Sequence, residues 1–115
     1  MLIRYSGVGR GGATEEVVRS LAADLESVYD RIARCDVTVE ALRGHQVSTH
    51  RYRIRVSIAV PGGEIVVSRD PEPGVGQEDP LVALRESFGA ARSRLEYYVR
   101  RNLRDDDAPR TSAQG

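Results

Sequence analysis

Lysine and tryptophan are absent from this chain, and cysteine and phenylalanine occur once each. A single thiol, Cys35, excludes an internal disulfide and a zinc site built from thiolates. No apolar run exceeds a few residues, so no segment reads as a membrane-spanning helix and no membrane partner is expected. No basic stretch followed by an apolar one reads as a secretory signal. Net charge at pH 7 is zero, and 40% of the 115 residues are apolar. That composition excludes collagen-like and strongly charged disordered chains and allows one domain around one core. The expectation is a small, soluble, cytoplasmic protein. Without lysine, all 17 basic residues are arginine. A GC-rich genome alone produces such a bias, but the consequence is chemical: every side-chain cation is a planar fork that matches phosphate.

The pattern of apolar residues gives an order of elements. Leu2 to Tyr5 reads as a short strand, followed by the loop Gly7-Val8-Gly9-Arg10-Gly11-Gly12. Val17, Val18, Leu21, Leu25, Val28, Tyr29 and Ile32 lie at helical spacing, which predicts a helix from about Thr14, as cap, to about Ala33. The period then changes to two. Cys35, Val37, Val39 and Ala41 share one face of a strand, and Asp36, Thr38 and Glu40 the other. A hairpin loop over residues 42–50 leads to the clearest strand, with Tyr52, Ile54, Val56, Ile58 and Val60 inward and Arg51, Arg53, Arg55 and Ser57 outward. Pro61-Gly62-Gly63 is a turn, Glu64 to Ser68 another strand, and residues 69–77 a loop. Asp79-Pro80 starts a second helix. Its stripe is Leu81, Leu84, Phe88, Ala91, Leu95, Tyr98 and Val99, and it is expected to end near Leu103. The fold class is α+β, in the order β-α-β-β-β-α: a four-stranded mixed sheet with both helices on one face. Residues 1–104 are one domain, and 105–115 are expected to be a disordered polar tail.

No catalytic constellation emerges, so the expectation is a protein that is not an enzyme and needs no cofactor. His45 and His50 share a loop but lack a third metal ligand beyond Glu40 or Asp36. Cys35, on an apolar strand face, reads as a buried hydrophobe. The Gly7–Gly12 loop satisfies G-x-G-x-x-G between a strand and a helix. The hairpins that follow it are foreign to a dinucleotide fold, so nucleotide binding stays a lesser alternative. Charge is unevenly spread. Residues 85–104 hold six arginines against two glutamates, and 51–69 four arginines against one glutamate. Arg85 and Arg92 flank the stripe of the last helix on one side, Arg94 and Arg101 on the other, with Arg100 near its end. Such a helix reads either as a solvated face or as a phosphate-binding surface. Arg51, Arg53 and Arg55 are expected to pair across strands with Asp36 and Glu40. Tyr97 projects away from the stripe, where it can stack on a base. The rival class is a protein-interaction module, or a homodimer through a sheet edge or the open sheet face.

Several segments in register carry a family resemblance. Tyr52-Arg53-Ile54-Arg55-Val56-Ser57-Ile58-Ala59-Val60-Pro61-Gly62-Gly63-Glu64-Ile65-Val66-Val67-Ser68-Arg69-Asp70-Pro71 resembles the central hairpin of the ribosome hibernation-promoting factors, the ribosome-associated inhibitors once called sigma-54 modulation proteins. Glu78-Asp79-Pro80-Leu81-Val82-Ala83-Leu84-Arg85, with Phe88, Ala91 and Leu95, resembles the start of their last helix. Leu21, Leu25, Tyr29, Asp30, Arg31 and Ile32 resemble the end of their first. The resemblance covers roughly residues 2–104. It implies a fold like that of double-stranded RNA-binding domains. It also implies non-catalytic binding to the small ribosomal subunit, on 16S rRNA rather than DNA, where messenger and transfer RNA would lie, silencing translation under stress. Carried onto this chain, the RNA-binding residues are Arg85, Arg92, Arg94, Arg100 and Arg101 on the last helix, with Arg31 and Arg34 at the end of the first. Leu81 stands where the family usually has an aromatic residue. The chain looks like a short form, without the C-terminal dimerisation domain of longer members.

Overall fold

The computed structural model describes residues 1–7, 12–43, 50–71 and 79–107, with side chains for 1–7, 14–42, 51–71 and 79–102. The elements are β1 (Leu2–Gly7), α1 (Gly12–Val28), β2 (Arg34–Arg43), β3 (His50–Val60), β4 (Gly63–Arg69) and α2 (Pro80–Asp107). They form one sheet in the order β1-β2-β3-β4, parallel between β1 and β2 and antiparallel elsewhere. One helical crossover demands the parallel pair, and two hairpins demand the antiparallel ones.

Alternation decides which face is covered. Cys35, Val37, Val39, Tyr52, Ile54, Val56, Ile58, Val60 and Val67 point to the helices and are buried. Val18, Ala22 and Leu25 of α1 and Leu84, Phe88, Ala91 and Leu95 of α2 meet them. Each large side chain so buried stabilises the fold by about 1.5–3 kcal/mol. The opposite face has no helix over it, and its residues alternate out of this core.

Three helix boundaries differ from the sequence expectation. First, α1 begins at Gly12, so Thr14 lies inside its first turn rather than capping it. Second, α1 ends at Val28, not near Ala33. The Tyr29 N–H makes a last helical bond to the Leu25 carbonyl (3.2 Å), and the Ala33 N–H already donates to Ala59 of the sheet (2.9 Å). Ile32 fills the core from the intervening turn, 4% exposed, which is why the apolar spacing outran the helix. Third, α2 continues to Asp107, past Leu103. Its 28 residues span about 42 Å. Its start follows the expectation: the Asp79 carboxylate accepts from the Leu81 N–H at 2.9 Å, with Pro80 at the first helical position. The β2–β3 loop with His45, most of the glycine-rich loop and residues 108–115 lie outside the described residues.

Candidate nucleic-acid interface

The stripe that buries α2 leaves its arginines two flanks. At 100° per residue, Arg94 and Arg101 project to one side and Arg85, Arg92 and Arg100 to the other. The first flank faces β4: Arg94 Nη1 donates to the Val66 carbonyl at 2.7 Å, and Arg101 Nη1 to the Tyr97 hydroxyl at 3.2 Å. The opposite flank is turned away from β4, on the side where α1 packs. Arg85 and Arg100 are exposed there and meet no carboxylate among the described residues. Arg92 has one partner on its own helix, Glu96, at 3.4 Å and half in water. Such a pair contributes only a few tenths of a kcal/mol and opens easily.

The C-terminal half of α2 is tied to the rest of the fold at Tyr98. Tyr98 donates from its hydroxyl to the Pro61 carbonyl (2.7 Å) and stands edge-on to Tyr29, ring centroids 5.6 Å apart. This joins the turn after α1 to α2. Arg31, exposed in that turn, lines an open depression together with Val99 and Asn102, beside the acidic Glu26 and Asp30. The structure therefore brings Arg31 beside Val99 and Asn102 of α2. It does not bring Arg34 there. Arg34 opens β2 on the far face of the sheet, 2.7 Å from Asp36 and 3.8 Å from Glu64.

That far face neutralises most of its own charge. Arg4 and Arg34 both bond Asp36, and Arg53 bridges Glu40 (3.1 Å) and Asp70 (2.6 Å). The hydrogen bond from Arg4, with Arg34 adding to it, holds the Asp36 carboxyl below its ordinary range despite partial burial. The expected cross-strand network exists, with different members. Glu40 takes Arg53, while Asp36 takes Arg4 and Arg34. Arg51 and Arg55 meet no carboxylate among the described residues.

These faces sit on a known arrangement. No family model matches the sequence, and no curated protein gives a significant match. Solved structures do match. The N-terminal domain of Protein Y from Thermus thermophilus superposes with a TM-score of 0.66 at 18% identity, over 85% of this chain and 99% of that one. This chain has the Protein Y N-terminal fold. A ribosomal subunit interface protein from Coxiella burnetii superposes with a TM-score of 0.54 at 14% identity, over 85% and 97%.

Within this Protein Y fold the remaining sequence candidates find structural places. Cys35 is fully buried; burial first, and the Asp36 charge second, push its thiol up to about 11, so it is protonated and shielded at neutral pH. Among the described residues no group of three His, Cys, Asp or Glu could hold a metal. Gly7 ends β1 against β2, at the start of the glycine-rich motif. One structural side chain is not evident from the sequence. Arg69, assigned there to a loop, ends β4 on the core side and ties it to α2. Nη2 lies 3.1 Å from Glu86, and Nη1 donates to the Tyr52 carbonyl at 3.1 Å. The alternation Ile65, Val67, Arg69 was the available signal.

Proposed function

We propose that this protein is a non-catalytic ribosome-binding factor. It occupies the messenger and transfer RNA channel of the small subunit under stress and holds 16S rRNA phosphates with arginines of α2. Two findings support the reading. The fold is shared with a Protein Y domain and with a protein named for the ribosomal subunit interface. The observation that carries it is electrostatic. Among the described residues, Arg85, Arg92 and Arg100 form a flank that meets one carboxylate, Glu96 on Arg92. Guanidinium–phosphate contacts position such a domain by shape rather than sequence. Arg94 and Arg101 add charge on the other flank. Arg34, paired on the far face, is not part of this surface.

The test is sedimentation with purified small subunits across a salt series, using wild type and the triple variant Arg85→Ala, Arg92→Ala, Arg100→Ala. Each phosphate contact contributes about 0.7–0.9 to the slope of log K against log salt, so the variant should lose about two from that slope. Its melting temperature should move by no more than about 3 °C, because the three side chains are exposed. An unchanged slope, with equal binding at low salt, refutes the assignment.

A further inference from the structure

The flank of α2 that faces β4 holds an arrangement that phosphate docking along the other flank does not use. Arg94, Tyr97 and Arg101 follow at intervals of 3 and 4, so they are neighbours on one helix side. They border an open depression of about 590 Å3 whose other wall is Ile65 and Val66 of β4. Tyr97 is 54% exposed and contributes nothing to the core. The Arg101 guanidinium carbon lies 5.7 Å from the Tyr97 ring centroid, within cation–π range, and the same group donates to the Tyr97 hydroxyl. Arg94 is anchored by the Val66 carbonyl, a neutral partner that leaves its charge intact and its other donors in place. Among the described residues the one carboxylate lining the depression, Glu64, is engaged on the sheet face by Ser57 (2.5 Å) and Arg34 (3.8 Å).

A large ring left half in water, braced by one guanidinium with another nearby, matches a flat π system that carries phosphate. An apolar peptide would need an apolar stripe that this flank lacks. We propose that Arg94, Tyr97 and Arg101 form a stacking platform for one unpaired base of single-stranded RNA. The base lies on Tyr97, Arg101 braces the ring, and Arg94 takes the adjoining phosphate. This rests on the RNA-binding reading above and adds a ligand class to it. Duplex RNA keeps its bases stacked inside the helix and offers them no free face, so the platform discriminates against it.

The absence of tryptophan makes the test clean. Tyr97→Trp introduces a single indole, and its emission is followed while a short oligoadenylate, or an RNA duplex of equal length, is titrated in. Quenching by the single strand, weakened by Arg94→Ala and nearly absent with the duplex, is the expected result. Tyr97→Ser, checked for an unchanged melting curve, should bind a dye-labelled oligoadenylate about tenfold more weakly. No quenching in a folded variant that still sediments with small subunits overturns the platform while leaving the ribosome reading intact. Equal quenching by duplex overturns it as well. Quenching without sedimentation upholds the platform and refutes the ribosome reading.

Discussion

Replacing Gly7 with alanine should destabilise the fold by about 3 kcal/mol, and the value follows from two separate costs. Gly7 holds φ at +125°, a region that costs any other residue about 1–3 kcal/mol. A Cβ built there also runs into the neighbouring strand, overlapping the Val39 carbonyl oxygen and lying 2.8 Å from the carbonyl carbon. Since Gly7 is the register partner of Val39, relieving that overlap means lifting the end of β1 off β2 and losing about 1 kcal/mol of ladder bonding. Two other glycines separate these terms. Gly62 has φ +86° with nothing within 4 Å of an added Cβ, so Gly62→Ala bears the backbone cost alone. Gly89 lies exposed inside α2 with open space around it, so Gly89→Ala should stabilise by about 0.5–1 kcal/mol through helix propensity and a less free unfolded chain. Urea denaturation should rank the midpoints Gly89→Ala, wild type, Gly62→Ala, Gly7→Ala from highest to lowest. A Gly7→Ala midpoint at or above that of Gly62→Ala refutes the close-approach argument. It would also reopen the question of why a glycine opens the G-x-G-x-x-G motif.

Two further predictions concern pH. The Asp36 carboxyl titrates below its ordinary range when folded, chiefly through the Arg4 hydrogen bond. Its stabilisation is therefore present above the ordinary carboxylate pKa and lost as pH falls through the depressed value. Melting temperature against pH should show a shallower acid limb for Asp36→Asn than for wild type, and parallel limbs would contradict this. Cys35 behaves in the opposite sense. Its folded pKa of about 11 exceeds the ordinary 9.0, so its contribution is complete below pH 9 and fades as pH rises toward 11. Cys35→Ala should flatten that alkaline decline, and the wild-type thiol should react with a disulfide reagent only as fast as the protein unfolds; prompt reaction in the folded state would refute the burial.

What the sequence made legible was whatever alternation or helical spacing encodes. The inward rows of β2 and β3 and the stripe of α2 were readable because each has one buried side. The end of α1 was not, because Tyr29 and Ile32 keep helical spacing while reaching the core from a turn. Arg69 was missed because an arginine at the end of an apolar alternation reads as the first loop residue until α2 supplies Glu86. The partners of Asp36 depended on register. Alternation put Asp36 on the same face as Arg51, Arg53 and Arg55, but only the pairing of β1 with β2 sets it opposite Arg4. Arg34 shows the same limit for the candidate interface. Taken as the end of a helix it joins the α2 arginines; as the first residue of β2 it faces the other way.

A net charge of zero does not oppose RNA binding in this architecture, because the two faces treat their arginines differently. On the sheet face, neighbouring strands hold side chains about 5 Å apart, and alternation places carboxylates and guanidiniums within reach of one another. On α2, among the described residues, Arg92 meets Glu96 of its own helix, and Arg85 and Arg100 meet no carboxylate. The molecule is 16 Å across its thinnest dimension, about twice the screening length at physiological ionic strength. A polyanion lying on the helices would meet Arg85, Arg92 and Arg100 at close range, while Asp36, Glu40 and Asp70 of the sheet face are paired with arginines. Local arrangement, set by register on the sheet and by residue spacing on α2, decides which guanidiniums meet a carboxylate.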